Sequence, residues 1–281
     1  MSLLIDGKAY AAEVEGELTK RVEVIREKSG KAPVLATIIV GDNPASVTYV
    51  RMKGNACARI GMASLKVEMG KNTTTDELLA KINELNNNPE VCGILLQHPV
   101  PEQIDERACF DAISLEKDVD GVNSAGFGLM SMGFPAYVSA TPLAILSLLL
   151  HYGIEIEGRE VVVIGRSAIL GKPVAALMLN QNATVTIAHS RTTNLPQVVR
   201  RADIVIAAVG KPSFVKADWI KKGAVLIDAG YNKGNKGDID MENCAAKSSA
   251  YTPVPGGVGP VTIAMLMKQT VSAAEKLFGI Q

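Results

Sequence analysis

The fold of this chain is decided by the stretch VVVIGRSAILGKP, at Val161–Pro173. A β-branched apolar run ends at a glycine, and a helical pattern follows. In the G-x-G-x-x-G turn of dinucleotide sites, glycines let the backbone approach a pyrophosphate at a helix N-terminus. Here Gly165 fills the first position, Ser167 replaces the second glycine, and the last glycine comes one residue late, at Gly171.

The residues around this turn indicate which cofactor it binds. Arg166 lies inside the turn, where a guanidinium can grip a phosphate with two hydrogen bonds. The next predicted strand, residues 182–188, is followed by His189-Ser190-Arg191, whereas NAD sites usually have an Asp or Glu there for the ribose 2′-hydroxyl. This pattern favours NADP, because cationic groups attract a 2′-phosphate and no carboxylate repels it. The alternative is an ordinary strand–helix crossover without a ligand.

Composition excludes several classes of protein. The 281 residues carry 29 basic and 29 acidic side chains, so no nucleic-acid partner or anionic-membrane surface is indicated. The four cysteines form no C-x-x-C pair, and we expect small buried thiols in a reducing compartment. The start, MSLLIDG, lacks a signal-peptide pattern, and the longest apolar run, residues 142–150, is too short to span a membrane. We therefore expect a cytoplasmic location.

The alternation of apolar runs and helical patterns predicts an α/β fold with two domains. We expect a catalytic domain at residues 1–139 plus 262–281, and an NADP-binding domain at residues 140–261 with a Rossmann-type, doubly wound parallel sheet. Ligands are expected in the cleft between the domains, near the carboxyl ends of strands. The expected strands are 34–40, 64–69, 91–96, 161–165, 184–188, 203–209 and 224–228. The expected helices are 9–28, 45–60, 75–86, 104–113, 141–152, 171–181, 195–200 and 260–278.

One helix of the first domain carries polar residues on a single face. Ser46, Tyr49 and Lys53 are spaced i, i+3 and i+7, which aligns them along the helix. Such a face can present a ring and an amine to a cleft. Alternatively, Lys53 is a solvated surface lysine and Tyr49 a half-buried packing residue.

Two further segments carry polar residues next to apolar ones. In GILLQHPVP, at residues 93–101, Gln97 ends a buried strand where α/β sheets bind ligands, or it caps local backbone. In KDVDG, at residues 117–121, Asp120 can accept two parallel N–H bonds from an amidine-like ring edge, or it can cap a turn. His98 has no second ligand at metal-binding spacing, so no metal site is expected.

The segment TPVPGGVGP, at Thr252–Pro260, combines rigidity with exposed backbone. Its prolines stiffen the chain, and its glycines leave N–H groups uncovered just before the last predicted helix, whose N-terminus attracts anions. It is either a rigid connection between domains or a loop that faces a flat or acidic ligand.

Together these segments resemble one family, the bifunctional methylenetetrahydrofolate dehydrogenase/methenyltetrahydrofolate cyclohydrolases. The resemblance runs nearly end to end. Six motifs carry it: SVTYVRMK at Ser46–Lys53, GILLQ at Gly93–Gln97, KDVDG at Lys117–Gly121, GRS at Gly165–Ser167, HSRT at His189–Thr192 and TPVPGGVGP at Thr252–Pro260. It implies oxidation of methylenetetrahydrofolate by NADP+, hydrolysis of the methenyl product to formyltetrahydrofolate, and a homodimer.

The resemblance also implies roles for single residues. Lys53 is the implied catalytic amine and Gln97 holds it in position, while Tyr49 orients the folate ring and Asp120 binds the pterin edge. The rest of the implied folate site is Ser46, Leu96, His98, Pro255, Gly256, Gly257, Val258, Gly259, Pro260 and Ile263. The implied NADP site is Gly165, Arg166, Ser167, Ser190, Arg191 and Tyr231, the last through its backbone on the nicotinamide side.

Three positions depart from the family's usual pattern. His98 replaces a leucine in a Leu-Pro-Leu-Pro run, Leu115 stands where a proline is common, and Ala140 stands in place of a cysteine. Because His98 borders the implied folate site, it bears on relative rates and inhibitor sensitivity more than on the reaction itself.

The sequence leaves two alternative functions to be weighed against this family. A shikimate-dehydrogenase-like oxidoreductase also pairs a lysine-bearing substrate domain with an NADP domain. The proline–glycine loop and the Tyr49–Lys53 spacing argue against it. A catalytically silent folate- or NADP-binding protein is the other alternative, and the intact Lys53, Gln97 and Asp120 argue against that one.

Overall fold

The computed structural model describes residues 2–280, which form two compact units. The first unit comprises Glu13–Val138 with residues 263–280, and the second comprises residues 2–12 with Ser139–Thr262. Met1 and Gln281, which the predicted domain boundaries include, lie outside the described residues.

Residues 2–12 differ from the predicted division, which placed them with the first domain. In the structure they belong to the second unit, because β1 (Leu3–Leu4) pairs in parallel with β9 (Ala250–Tyr251). Strands of two residues are too short to show a periodic pattern, so this pairing had no signal in the sequence.

The first unit is built on a three-stranded parallel sheet with the order β3-β2-β4. Its strands are β2 (Val34–Val40), β3 (Ala63–Met69) and β4 (Gly93–Leu96). The middle strand, β2, and the edge strand β4 are buried almost throughout, whereas β3 is exposed along most of its length. Each strand lies where the sequence predicted it, with ends that differ by at most two residues.

The helices of the first unit begin at recognisable caps. Asn43 accepts hydrogen bonds from the first backbone N–H groups of α2, and Pro44 occupies the first turn. Thr74 and Glu77 form a capping box at the start of α3. The helices that contribute to this unit are α1 (Gly7–Ser29, from residue 13), α2 (Pro44–Arg59), α3 (Thr75–Asn87), α4 (Glu106–Ala112), α5 (Ser124–Ser131) and α10 (Val258–Leu277, from residue 263).

Helix α5 was not expected from the sequence. Its eight residues include Gly126 and Gly128, which disfavour a helix in isolation. The side chain of Asn123 compensates at the start by accepting from the N–H groups of Ala125 and Gly126.

The second unit contains a six-stranded parallel sheet with the order β1-β9-β8-β7-β5-β6. Its longer strands are β5 (Glu160–Ile164), β6 (Thr184–Ala188), β7 (Ile204–Ala207) and β8 (Val225–Asp228), joined by helices that include α6 (Ala140–His151), α7 (Gly171–Asn180), α8 (Leu195–Arg200) and α9 (Met241–Cys244). This arrangement confirms the expected Rossmann-type sheet. Strand β5 lies between β6 and β7, so successive connections leave it in opposite directions, which is the point where such sheets bind dinucleotides.

The cysteines, the apolar helices and the potential metal ligands each bear on a prediction from the sequence. The four cysteines are free and buried, as expected of small core residues. No helix within residues 2–280 is both long enough and apolar enough to cross a lipid bilayer. Within the same residues, His, Cys, Asp and Glu side chains form no cluster that would hold a metal ion.

Candidate functional site

The structure brings Lys53 and Gln97 together in the first unit. The Nζ atom of Lys53, on α2, donates a hydrogen bond of 3.0 Å to Oε1 of Gln97. Gln97 follows β4 directly, and its Nε2 atom donates to the carbonyl oxygen of His98 at 2.7 Å. This second bond fixes the amide so that its oxygen faces the amine. The amine is thus held between a helix and the end of a buried strand.

Electrostatics link Lys53 to Asp120. Burial lowers the pKa of Lys53, and the nearby carboxylate of Asp120 partly offsets this by raising it. Conversely, burial raises the pKa of Asp120, while the charges of Lys53 and His98 lower it. The net pKa of the amine lies below its ordinary value, so an uncharged fraction is available to take up a proton.

Hydrogen bonds fix the backbone of the segment before and after Asp120. The buried carboxylate of Asp118 accepts the backbone N–H groups of residues 122–123 at 3.1 and 2.9 Å. Burial raises the pKa of Asp118 to about 7. On the other side, Nε2 of the buried Gln269, on α10, donates to the carbonyl of Val119 at 2.7 Å. Gln269 was not expected from the sequence, where its only signal is a glutamine inside a largely apolar helix.

His98 has a partner that the sequence did not indicate. Its Nδ1 atom lies 2.6 Å from Oε2 of Glu106, the first residue of α4, while 47% of its side chain remains exposed. The contact directs the imidazole, and the charge of His98 lowers the pKa of Asp120. The departure from the usual leucine therefore adds a titratable group next to Asp120.

The remaining predicted folate residues of the first unit differ in exposure. Tyr49, one helical turn before Lys53, is 38% exposed, so part of its ring can meet a ligand. Ser46 and Leu96 are 4% and 2% exposed, so both are buried. Ile263 is half-buried on α10.

The proline–glycine loop, Pro255–Pro260, lies in the second unit and has a shape that only glycine allows. Gly256 has a φ of +101°, and its carbonyl accepts the N–H of Lys8 at 2.9 Å. A side chain at Gly257 would lie 2.4 Å from the carbonyl oxygen of Pro253. Val258 is buried, Pro260 is half-buried, and Pro255 and Gly259 are exposed just before or within the first turn of α10.

The late glycine of the opening motif has a packing role. A Cβ atom at Gly171 would lie 2.4 Å from the carbonyl oxygen of Gly165, so the start of α7 sits directly on the turn. Gly165 itself has a φ of +131° and faces the carbonyl oxygen of Ala208 so closely that a Cβ would lie 2.3 Å away. The Ser167 hydroxyl accepts the N–H of Gly171 at 3.2 Å. The turn is therefore one residue longer than the common motif, and Ser167 closes it.

The predicted phosphate ligands lie at the carboxyl ends of neighbouring strands. Arg166 follows β5, and Ser190 and Arg191 follow β6; all three are exposed. The Nδ1 atom of His189 accepts the N–H of Arg191 at 3.2 Å, which shapes this short loop. Carboxyl ends of parallel strands share one edge of the sheet, so these groups flank the glycine turn.

Tyr231 lies in the loop after β8, and 61% of its surface is exposed. Its hydroxyl donates to Oδ1 of Asn235 at 2.8 Å. The glycine turn leaves room for a close backbone approach, and the end of β6 presents no carboxylate. The residues present therefore fit a dinucleotide that carries a 2′-phosphate.

Comparisons with known proteins agree with this geometry. Residues 5–120 match the family model described as "Tetrahydrofolate dehydrogenase/cyclohydrolase, catalytic domain". Residues 139–278 match the model for the NAD(P)-binding domain of the same enzymes.

Individual relatives match over almost the whole chain. The bifunctional protein FolD of Acidobacterium capsulatum is 63% identical over 280 residues, which is 99% of both chains. The solved structure of FolD from Campylobacter jejuni is 42% identical with a TM-score of 0.96, covering 98% of this chain and 99% of that one. FolD of Trypanosoma brucei, solved with NADP cofactor and inhibitor, is 37% identical with a TM-score of 0.94 and 98% coverage of each chain. This chain belongs to the tetrahydrofolate dehydrogenase/cyclohydrolase family.

Proposed function

We propose that this chain oxidises 5,10-methylenetetrahydrofolate with NADP+ and hydrolyses the resulting 5,10-methenyl compound to 10-formyltetrahydrofolate. The observation that carries the proposal is the 3.0 Å hydrogen bond between Lys53 and Gln97, with the charge of Asp120 acting on the same amine. Family membership supplies the reaction class, and this arrangement supplies the group that performs the proton transfers.

Hydrolysis is the step in which Lys53 acts chemically. Water adds to the cationic methenyl carbon and loses a proton. The ring nitrogen then gains a proton as its bond to that carbon breaks, and the hydroxyl left on the carbon loses its own proton to solvent as it becomes the formyl oxygen, so that one proton is released overall. A single amine can accept the first proton and return one to the nitrogen if its pKa is near the working pH. Burial lowers the pKa of Lys53 in that direction. Because Gln97 accepts one amine hydrogen, the lone pair of the neutral amine points away from it, toward the position we assign to the water.

Oxidation needs orientation rather than an acid or a base. NADP+ supplies the hydride acceptor, and the chain must align the methylene carbon with it. We assign Asp120 to the pterin edge, where an ionised carboxylate accepts two parallel N–H bonds. The charges of Lys53 and His98 favour that ionised form by lowering the pKa of Asp120. Tyr49, partly exposed on the same helical face as Lys53, is assigned to the folate ring.

The second unit is assigned to NADP rather than NAD. Arg166 and Arg191 are exposed at the ends of adjacent parallel strands, where a guanidinium can hold a phosphate with two hydrogen bonds. We assign Arg191 and Ser190 to the 2′-phosphate and the Gly165–Gly171 turn, with Arg166, to the pyrophosphate. This division assigns NADP to the second unit. The proposed folate residues are Lys53, Tyr49, Gln97 and Asp120 of the first unit together with the Pro255–Pro260 loop of the second.

We also propose a cytoplasmic homodimer that forms through β3. This strand is paired on one side only, by β2, and its exposed residues include Leu65 at 39%. Unpaired edges of this kind readily accept a second strand. Light scattering should give twice the chain mass of 29.7 kDa, and a Leu65→Asp variant should give the single-chain mass. A single-chain mass for the unaltered protein would contradict the dimer.

A direct assay tests the proposed activity. The protein is mixed with methylenetetrahydrofolate and either NADP+ or NAD+, and the absorbance of the methenyl compound is followed as it rises and decays. We expect a rise and a decay with NADP+ and a much weaker signal with NAD+. No turnover with either cofactor would indicate a silent binding protein. Oxidation of shikimate instead would indicate the other alternative.

A further inference from the structure

The carboxylate of Asp238 joins loops that follow two neighbouring strands of the six-stranded sheet. Its Oδ2 atom accepts the backbone N–H groups of Val209 and Gly210 at 2.6 and 2.9 Å. Its Oδ1 atom accepts the N–H of Lys211 at 2.9 Å and Nδ2 of Asn232 at 3.0 Å. Asp238 itself is 0% exposed. One buried side chain thus fixes the loop after β7 and the loop after β8.

Asp238 is itself held in place by β8. Asp228, the last residue of that strand, accepts the N–H of Asp238 at 2.9 Å and the N–H of Ile239 at 2.8 Å. The packing leaves no room for side chains around the pair. A Cβ at Gly230 would lie 2.2 Å from Cγ of Asp238, and one at Gly237 would lie 2.0 Å from Oδ2 of Asp228. The two carboxylates and two glycines therefore form one compact cluster.

This cluster sets the orientation of a peptide that meets the glycine turn. The N–H of Val209 and the carbonyl of Ala208 belong to the same peptide group and point in opposite directions. The N–H is bound by Asp238 at 2.6 Å, and the carbonyl oxygen faces Gly165, where a Cβ would come within 2.3 Å. Asp238 therefore determines which face of this peptide borders the turn.

The loops that Asp238 fixes lie on the other side of β5 from the 2′-phosphate residues. In the sheet, β6 lies on one side of β5, and β7 and β8 lie on the other. A dinucleotide with its ribose phosphate at the end of β6 and its pyrophosphate at the turn after β5 must extend its second nucleotide over the ends of β7 and β8. Tyr231, assigned to the nicotinamide side, directly precedes Asn232.

We propose that Asp238 is a positioning residue for the nicotinamide half of NADP. This role rests on the proposed use of NADP. Asp238 itself touches no ligand and acts through the loops at residues 209–211 and 230–232. The carboxylate satisfies the N–H groups of these loops before the cofactor binds, so the loops are already ordered. Without it, binding of NADP must also order them.

The test compares Asp238→Asn with Asp240→Asn. In the first variant an NH2 group replaces one oxygen. It then faces either the N–H groups of residues 209 and 210 or those of Lys211 and Asn232, so two hydrogen bonds are lost and the loops are pushed apart. The control removes a carboxylate two residues away, which meets Lys216 and Asn243 instead of the strand-end loops. Two quantities are measured for each: the dissociation constant of NADP+ by calorimetry, and the rate of methenyltetrahydrofolate hydrolysis without NADP+.

We expect Asp238→Asn to weaken NADP+ binding by about tenfold or more, and to raise the Michaelis constant for NADP+ but not that for methylenetetrahydrofolate. Hydrolysis should stay within about twofold of the unaltered protein, because it consumes no NADP+. Asp240→Asn should change neither quantity. Unchanged NADP+ affinity in a folded Asp238→Asn protein would overturn the inference.

A milder variant decides the matter if Asp238→Asn fails to fold. Asn232→Ala removes one of the four donors to Asp238, together with the 3.1 Å bond of the same amide to the carbonyl of Lys236, and leaves the carboxylate with its three backbone donors. It should weaken NADP+ binding by about threefold to tenfold with hydrolysis preserved, and unchanged affinity would reject the positioning role. Failure of the unaltered protein to bind NADP+ would instead refute the proposed function.

Discussion

Nζ of Lys53 donates to Oε1 of Gln97 across 3.0 Å, and Gln97 is in turn anchored by its 2.7 Å bond to the carbonyl of His98. The anchor fixes the orientation of the Gln97 amide, because the amide cannot rotate without losing its bond to the His98 carbonyl. Its oxygen therefore stays directed at the amine of Lys53. An amide oxygen is a neutral acceptor, so it positions the amine without adding a negative charge that would favour the ammonium form. Because Gln97 adds no negative charge, it does not oppose the lowering of the Lys53 pKa by burial.

Gln97→Glu should raise the pKa of Lys53 and move hydrolysis to higher pH. A carboxylate in place of the amide oxygen stabilises the ammonium, and each unit of pKa reduces the neutral amine about tenfold at a given pH below it. We expect the hydrolysis rate near pH 7.5 to fall by about tenfold or more and to recover as the pH rises. The rate–pH profile of methenyltetrahydrofolate hydrolysis measures this.

Gln103→Glu is the matched control for that substitution. Gln103 donates to the carbonyls of Lys71 and Thr73, in contacts that do not involve Lys53. Its profile should overlay that of the unaltered protein. A Gln97→Glu profile that also overlays it would show that the amine is not the titrating group.

His98→Leu should make folate binding more sensitive to acid. The charge of His98 lowers the pKa of Asp120, so its removal leaves that pKa higher. Because only the ionised carboxylate accepts both pterin N–H bonds, the Michaelis constant for methylenetetrahydrofolate should begin to rise at a higher pH than in the unaltered protein. His98→Gln also lacks the charge and should give the same shift, whereas a shift with leucine alone would point to packing.

Arg191→Ala should reduce the preference for NADP. Loss of a charge-assisted contact to the 2′-phosphate should weaken NADP+ binding by about tenfold or more and leave NAD+ binding nearly unchanged. The ratio of kcat/KM for the two cofactors measures the effect. Arg201→Ala, an exposed arginine beyond the end of α8, should leave the ratio as it was. An equal loss for both cofactors would assign Arg191 to the pyrophosphate or to structure.

Asp118→Asn should change how stability depends on pH. The folded pKa of Asp118, about 7, lies above its ordinary 3.8. A raised pKa adds stability that is complete below the unfolded pKa and is lost as the pH rises through the folded one. As the pH rises from roughly 4 to 7, the unfolding free energy of the unaltered protein should therefore fall by up to about 4 kcal/mol. The variant, which has no carboxyl group at this position, should not show this fall.

Denaturant unfolding at several pH values measures that difference. The variant should also be less stable at acid pH by about 1–3 kcal/mol, because an amide can accept from only one of residues 122 and 123. The exposed Asp42→Asn should follow the unaltered protein. Parallel curves for Asp118→Asn and the unaltered protein would mean that Asp118 stays ionised in the fold.

The sequence predicted elements wherever a local pattern existed. Strand β2 was predicted with both ends correct, because an apolar run between polar segments has little freedom of placement. Helix α5 was missed because its glycines oppose a helix and Asn123 overrides them. The pairing of β1 with β9 joins residues almost 250 positions apart, and no pattern within either strand indicates it.

The candidate site divides in the same way. Lys53, Gln97 and Asp120 were predicted from the resemblance of their motifs to the family, because their spacing alone left other interpretations open. In the structure Lys53 donates to Gln97, and the charge of Asp120 acts on the same amine. Glu106 was missed because it lies eight residues from His98, a separation at which no local pattern predicts a contact. Gln269 was missed because it acts on Val119, 150 positions away, through a contact that only the fold creates. Gly171 seemed to break the dinucleotide motif, but it is the residue that lets α7 sit on the turn.

Hydrolysis of methenyltetrahydrofolate by Lys53→Met tests the central role of the amine most directly. Methionine has a similar length and no proton to exchange, so the site keeps its shape and loses its base. We expect the hydrolysis rate to fall by about a hundredfold or more, while the dissociation constant of NADP+ stays within about twofold of the unaltered protein. A hydrolysis rate equal to that of the unaltered protein would contradict the assignment of Lys53.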